Sequence, residues 1–203
     1  MGQDSLQDFS SLLLDTNVFR YQTTPGSPHK DVANRFWETV TEKLEQKKIE
    51  LCTADEVVRE LGVQSFSSNP KEVKEIRETL LPKTEVNDYL YDAEAENLVR
   101  QASALLSANY KLQLPSGKFM VKYPDVGDAR ILLTAYESDS IIVTSNVKDF
   151  MLYPLLYPQN GKVLYDLLLE KYVQIDPILY MNIQNNARFA DFKSKIEKYK
   201  FAC

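Results

Sequence analysis

The chain has little of what many enzyme sites require. Its 203 residues include a single histidine, His29, and two cysteines, Cys52 and Cys203. Zinc sites and Ser-His or Cys-His machinery need imidazoles or thiols in number or at fixed distances, so most of these chemistries are removed from consideration. The two cysteines make no disulfide framework, and we interpret both as plain thiols. Carboxylates are the reactive groups that remain.

Long apolar runs and a positive net charge are also missing. The longest apolar stretches, such as 131–136 and 141–144, are too short to span a bilayer. The first ten residues have neither a basic start nor an apolar run, so we expect no secretory signal and a cytoplasmic protein away from membranes. The net charge of −5 argues against broad attraction to nucleic acid, although clustered carboxylates would lower it by themselves.

Strand-like and helix-like segments alternate along the chain. Residues 11–15 predict a buried strand that ends in Asp15 and is followed by a loop. The alternation favours an α/β fold with a parallel sheet and helices on both faces. Further strands are predicted at 49–53 and 140–145, and helices at about 29–46, 54–66, 70–81, 88–110 and 128–137.

The length and the 44% hydrophobic content predict a single domain over residues 1–203. We interpret residues from about 65 to 124 as a helical insertion. Residues 161–177 predict one more helix and an edge strand. Residues from about 178 to 203 predict a polar, partly helical C-terminal tail.

Polar and acidic side chains follow the predicted strands. In parallel α/β sheets, functional groups gather at the carboxyl ends of the strands. Clustered carboxylates repel one another unless a cation compensates, and hard oxygen ligands suit Mg²⁺ or Mn²⁺, ions that activate water and bind phosphate oxygens. The pattern therefore favours phosphodiester hydrolysis. The residues expected at this edge are Asp15, Glu60, Asp128, Thr144, Ser145 and Asn146.

Four segments carry a resemblance to a known family. They are LLLDTNVF (12–19), VVREL (57–61), VGDARILLTAYE (126–137) and IIVTSNVKDF (141–150). In this order they resemble the PIN-domain ribonucleases, which include the VapC-type toxins of bacterial toxin–antitoxin pairs. The resemblance implies a three-layer α/β/α fold with a four- to five-stranded parallel sheet, and a divalent-metal-dependent endoribonuclease that cleaves RNA. It also implies an antitoxin protein and a homodimer as candidate partners.

The resemblance also implies roles for individual acids. Asp15 would be the central metal ligand, and Glu60 and Asp128 would match the second and third acids of the family. The fourth position falls on either Asn146 or Asp149. Asn146 offers a neutral oxygen, so a site completed by it would bind its ion less strongly and would hold a single ion.

Other residues near these motifs have predicted supporting roles. Thr16 and Asn17 would shape the turn after the first strand, with Thr144 and Ser145 beside them. Basic residues near the acids are candidate phosphate contacts, although a solvated surface charge explains each of them equally well. These are Arg20, Lys122, Arg130 and Lys148.

Several competing interpretations remain open at this point. Asp15 alone fits a turn, Asp128 alone fits a helix start, and Glu56 is a rival for the role of Glu60. A catalytically weak PIN-like scaffold that binds RNA or protein is the main alternative function. An aspartyl-nucleophile phosphatase is less favoured, because its pattern requires a second Asp where this chain has Asn17.

Overall fold

The computed structural model describes residues 6, 10–88, 92–110, 122–159 and 161–200 in full, and residues 113–114 and 117–118 by their backbone. Cys203 lies outside these residues, whereas Cys52 is a buried free thiol. None of the described helices is long and apolar enough to cross a membrane. The strands are β1 (Ser10–Leu14), β2 (Ile49–Ala54), β3 (Glu85–Asn87), β4 (Gln113–Leu114), β5 (Gly117–Lys118), β6 (Ile141–Thr144), β7 (Leu164–Asp166) and β8 (Lys171–Tyr172).

The helices cover most of the remaining described residues. They are α1 (Thr16–Thr23), α2 (Lys30–Glu45), α3 (Asp55–Gln64), α4 (Pro70–Glu75), α5 (Ala93–Asn109), α6 (Val126–Glu137), α7 (Tyr153–Leu156), α8 (Pro177–Gln184) and α9 (Ala187–Tyr199). A π-helical turn (Ile76–Leu80) and a 3₁₀ turn (Leu81–Lys83) follow α4, and a second 3₁₀ turn (Val147–Asp149) follows β6.

Six of these strands form one sheet in the order β3-β2-β1-β6-β7-β8. The first five run parallel, and β8 pairs antiparallel with β7 at the edge. The central strand β1 contributes Leu12, Leu13 and Leu14, none of which has exposed surface. A continuous apolar run of this kind is typical of a parallel strand that is covered on both faces. The prediction of an α/β fold with a parallel sheet is confirmed.

The direction of the crossovers explains how the sheet becomes the middle of three layers. From β1 the chain moves to β2 and β3, then returns across the sheet to β6 and continues on the other side to β7. Because parallel connections are right-handed, crossovers in opposite directions place their helices on opposite faces. The order of the strands reverses between β1 and β6, and this switch point opens a crevice at the carboxyl ends of the two parallel strands. This is the architecture that the resemblance to PIN domains implies.

The prediction of a loop after Asp15 is wrong, because this segment forms α1. Asp15 caps the helix, and its carboxylate accepts a hydrogen bond from the backbone N–H of Thr16 at 2.7 Å. Val18 and Phe19 are then fully buried on the inner side of the helix. An Asp side chain stabilises both turns and helix N-termini. Here the helix forms because it allows Val18 and Phe19 to be buried.

The prediction of a helix within 161–177 is also wrong, because this segment forms β7, a turn and β8. The edge strand predicted there is present as β8. Leu164 begins β7 inside the sheet, and the chain then turns back. The carboxylate of Asp166 accepts the backbone N–H groups of Leu168 and Leu169 at 2.9 and 3.2 Å, which fixes this turn. Glu170 completes it in the left-handed region with a φ of 51°.

The predicted insertion and tail both contribute to the core. Segment 65–124 supplies β3 to the sheet and α5 to the interior, where Val99 and Leu106 have no exposed surface. The helix expected from residue 88 begins at Ala93 in the structure. In the tail, Phe189 and Ile196 of α9 are fully buried, so the described part of this segment packs into the hydrophobic core.

Candidate metal-binding site

Asp15 is buried at the end of β1 and is held by three donors. One carboxylate oxygen accepts the N–H of Thr16 at 2.7 Å, and the other accepts the hydroxyl of Thr144 at 2.6 Å and the amide of Asn17. Burial raises the pKa of Asp15, while these hydrogen bonds oppose the rise. The result is a carboxylate fixed in one orientation at the switch point of the sheet.

The residues after β6 are tied to the start of α1. The Thr144 hydroxyl accepts the N–H of Asn146 at 2.8 Å and the amide of Asn17 at 3.2 Å. The side-chain oxygen of Asn17 accepts the N–H of Ser145 at 2.9 Å, and the Ser145 hydroxyl donates to Tyr21 at 3.1 Å. Three of the four predicted supporting residues, Asn17, Thr144 and Ser145, therefore join the carboxyl end of β6 to the start of α1, whereas Thr16 contacts Asp15.

Asp128 lies in the first turn of α6 and forms a reciprocal cap with Asp125. The N–H of Asp128 donates to the Asp125 carboxylate at 2.9 Å, and the N–H of Asp125 donates to that of Asp128 at 3.3 Å. Burial, followed by the charges of Asp125, Asp149 and Asp15, raises the pKa of Asp128 to about 7. Asp128 is thus within electrostatic reach of the other acids. Asp125 was not among the predicted site residues, although the Asp-x-x-Asp spacing before an apolar helix signals such a cap.

Glu60 approaches the site from α3. Its carboxylate accepts a hydrogen bond from the Thr16 hydroxyl, next to Asp15. Burial raises the pKa of Glu60, and the charges of Asp15, Glu56 and Asp125 raise it further. The structure therefore brings the predicted helical acid to the same crevice as Asp15.

Glu56 and Arg130 form an ion pair beside Glu60. Arg130 donates to Glu56 at 3.1 Å and to Glu96 of α5 at 2.9 Å, and Glu56 also pairs with Arg59. Only 20% of the Arg130 side chain is exposed. Arg130 is thus an ion-paired and largely buried residue rather than a solvated surface charge, and its predicted contact with a substrate phosphate stays a prediction. Glu96 was not predicted, because nothing in its local sequence marks it.

Both candidates for the fourth position lie at the site and contact each other. The Asn146 amide donates to one oxygen of Asp149, whose side chain has no exposed surface. The other oxygen, Oδ1, is buried and accepts no hydrogen bond from any described residue, although the Lys122 ammonium lies 3.4 Å away. Burial raises the pKa of Asp149, and Lys122 and Asn146 act against that rise. In turn the charge of Asp149 raises the pKa of Asp15.

The remaining basic candidates are exposed but differ in position. Lys148 lies next to Asp149 in the 3₁₀ turn, and its charge lowers the pKa of that acid. Arg20 lines a cavity whose other residues come from α1, α3 and the segment 65–81, and none of the site acids borders it. The structure therefore places Lys148 beside Asp149 and Arg20 at the edge of this cavity.

Comparisons with known proteins find similar solved structures at low sequence identity. No protein-family model and no curated protein matches the chain. The solved structure of VapBC2 from Rickettsia felis, bound to a DNA fragment from their promoter, is 19% identical and has a TM-score of 0.48. The match covers 71% of this chain and 93% of that one. FitAcB from Neisseria gonorrhoeae is 16% identical with a TM-score of 0.48, over 70% of this chain and 92% of that one. Similarity at this level carries no argument about activity.

The donor set fits a hard divalent ion that keeps part of its water shell. Within the described residues, no three acidic side chains converge on one point as they stand. Mg²⁺, however, usually keeps several waters and takes only one or two carboxylates from the protein. Asp15 and Asp128, whose charges interact, would provide such a pair, and the buried Oδ1 of Asp149 is an oxygen without a hydrogen-bond donor among the described residues. A cation would also offset the burial and the repulsion that together raise the pKa of Asp128.

Proposed function

We propose that the chain is a PIN-like endoribonuclease that depends on Mg²⁺ or Mn²⁺. The observation that carries the proposal is that four buried or half-buried acids, Asp15, Glu60, Asp128 and Asp149, lie around the carboxyl ends of β1 and β6, close enough for their charges to interact. Burying carboxylates together costs stability, so such a cluster favours a site that a cation completes. RNA as substrate, an antitoxin as partner and a homodimer follow from the sequence resemblance.

Each residue then has a definite task. Asp15, fixed by its three donors, and Asp128 at the start of α6 present oxygens for the ion. A bound divalent ion would lower the pKa of a water and balance the charge that develops on the phosphate. Glu60 orients the Thr16 hydroxyl beside Asp15, and the exposed ammonium of Lys148 is available to a substrate phosphate.

Cleavage of a labelled RNA with and without chelator tests this proposal. We expect the purified protein to cut RNA, to stop in EDTA, and to resume when Mn²⁺ or Mg²⁺ is returned in excess. A metal-independent ribonuclease in the preparation would continue in EDTA, so the chelated arm also serves as the purity control. Cleavage that persists in EDTA would refute the metal-dependent mechanism.

A second candidate function is a scaffold that binds RNA without cutting it. Two observations favour it: the Lys122 ammonium and the Asn146 amide already contact Asp149, and no three acids among the described residues converge. This candidate predicts RNA binding that EDTA does not change, with no product at any Mn²⁺ concentration. The same labelled RNA, followed by anisotropy and by gel, separates the two functions.

Gly127 controls how closely α6 approaches Glu60. A Cβ added there would lie 3.0 Å from the Glu60 carboxylate and 3.3 Å from that of Asp125. Gly127→Ala should therefore displace the Glu60 carboxylate and reduce cleavage by roughly threefold to tenfold, as small shifts of site groups do. Thermal unfolding should change little, since Ala gains up to about 1 kcal/mol over Gly in a helix and offsets the crowding.

Gly62→Ala provides the matched control, because a Cβ at this position of α3 has nothing within 4 Å. We expect this variant to cleave at the rate of the unmodified protein. Equal rates for the two variants would show that Glu60 does not depend on the close approach at Gly127.

A further inference from the structure

Lys122 enters the site from the segment before α6. Its backbone N–H donates to the carbonyl of Lys148 at 3.1 Å, which ties this segment to the turn that carries Asp149. The Lys122 ammonium lies 3.4 Å from both oxygens of Asp149. The side chain of Lys122 is 52% exposed, whereas that of Asp149 is wholly buried. The ammonium therefore covers Asp149 from the solvent side.

Asp149 belongs electrostatically to the acidic cluster. It is also linked to Asp15 by hydrogen bonds: the Asn146 amide donates to Asp149, the Asn146 N–H donates to the Thr144 hydroxyl at 2.8 Å, and that hydroxyl donates to Asp15 at 2.6 Å. A buried carboxylate without a cation is strongly unfavourable, and here the ammonium of Lys122 supplies the charge. In sites with two divalent ions, the ions lie about 3.5–4 Å apart and share acidic ligands. An ammonium next to Asp149 competes for the position of a second ion.

We propose that Lys122 is a resident cation that neutralises Asp149 and limits the site to one divalent ion, held on the side of Asp15 and Asp128. The proposal rests on the function proposed above. It gives Lys122 a role in setting the number of bound ions, in place of the expected contact with a substrate phosphate. It also assigns Asp149 to the charge balance of the site rather than to the primary ligands.

Calorimetric titration of the metal-free protein with Mn²⁺ tests this assignment without an activity assay. We expect one Mn²⁺ per chain for the unmodified protein and for Lys122→Arg, which keeps the charge. Lys122→Met should bind a second Mn²⁺, or bind the first at least tenfold more tightly. Lys122→Met combined with Asp149→Asn should return to one ion, because the carboxylate that Lys122 releases is then gone.

Lys195→Met is the matched control, since Lys195 is about as exposed as Lys122 and also pairs with an Asp, Asp191, but on α9. It should still bind one ion, with an affinity within about threefold of the unmodified protein. Thermal unfolding gives a second readout. Metal-free Lys122→Met should melt at a lower temperature, and Mn²⁺ should raise its melting temperature more than that of the unmodified protein.

The outcomes separate this inference from the proposed function. If neither the unmodified protein nor Lys122→Met binds Mn²⁺, the metal site itself is wrong, and the inference fails with it. If both bind one ion with equal affinity, the metal site stands and the role of Lys122 is overturned. Two ions bound to the unmodified protein would also overturn it.

Discussion

Asp15→Asn is expected to lower the rate of RNA cleavage by about a hundredfold to a thousandfold, the range seen when a fixed charge-stabilising group is removed. Asp15 is the buried carboxylate at the switch point and the best oriented of the site acids. Its neutral counterpart loses the charge that holds a divalent ion. Mn²⁺ affinity should therefore fall together with the rate, which calorimetry and a cleavage assay can both measure.

The same substitution also tests how the site is held. Both oxygens of Asp15 accept hydrogen bonds, so an Asn amide must face either the N–H of Thr16 or the amide of Asn17. Such an unmatched donor costs about 1–3 kcal/mol. Removing a buried charge, whose pKa burial raises, offsets part of that cost. We expect the variant to remain folded with a slightly changed melting temperature.

Asp176→Asn is the matched control for this experiment. Asp176 is exposed and caps α8 by accepting the N–H groups of Ile178 and Leu179 at 3.0 Å. Asn caps a helix as well as Asp does, so the same chemical change is made away from the acids. Cleavage by Asp176→Asn should match the unmodified protein. A cleavage rate in Asp15→Asn equal to that of this control would remove Asp15 from the mechanism.

The sheet and the position of Asp15 could be predicted because both depend on short, local patterns. A run such as Leu12–Leu14 is too apolar for any strand except one covered on both faces, and Asp15 directly follows it. The strand after α6 has the same character. Once two such strands are parallel, the side chains that follow them meet at one edge whatever lies between.

The wrong elements are those for which a local pattern fits two structures. An Asp followed by polar residues starts a turn or a helix, and only the packing of Phe19 against the core selects α1. The apolar residues around Leu164 suit a helix or a strand equally well. There the pairing of β7 with β6 decides, and that pairing joins residues distant in sequence.

The ion pairs of the site could not be predicted for a related reason. Arg130 contacts Glu96, which is 34 residues away in the sequence, and Lys122 contacts Asp149, which is 27 residues away. No spacing rule connects such residues, because the packing of α6 brings Arg130 to Glu96, and pairing of the segment before α6 with the turn after β6 brings Lys122 to Asp149. In sequence, each of these basic residues is indistinguishable from a surface charge.

Arg130→Met is expected to lower the free energy of unfolding by about 3 kcal/mol, the lower end of the range for breaking a buried ion pair, because part of the side chain is exposed. Glu96 accepts two hydrogen bonds from Arg130 and would keep its charge in a site where only 10% of its side chain is exposed. Urea unfolding of the metal-free protein measures the loss. The melting temperature should fall by roughly 6–12 °C.

The double variant Arg130→Met with Glu96→Gln distinguishes a lost ion pair from lost packing. Removing the Glu96 charge as well leaves Glu56 as the one acid that has lost Arg130, and Glu56 keeps Arg59 as a partner, so part of the stability should return. The double variant also tests how the two helices are positioned. Arg130 lies two residues after Asp128 on α6, and it binds Glu56, which lies one turn before Glu60 on α3. If the ion pairs set the spacing of these helices, the double variant should still bind Mn²⁺ more weakly than the unmodified protein. Full Mn²⁺ affinity in it would instead mean that apolar packing alone positions α6.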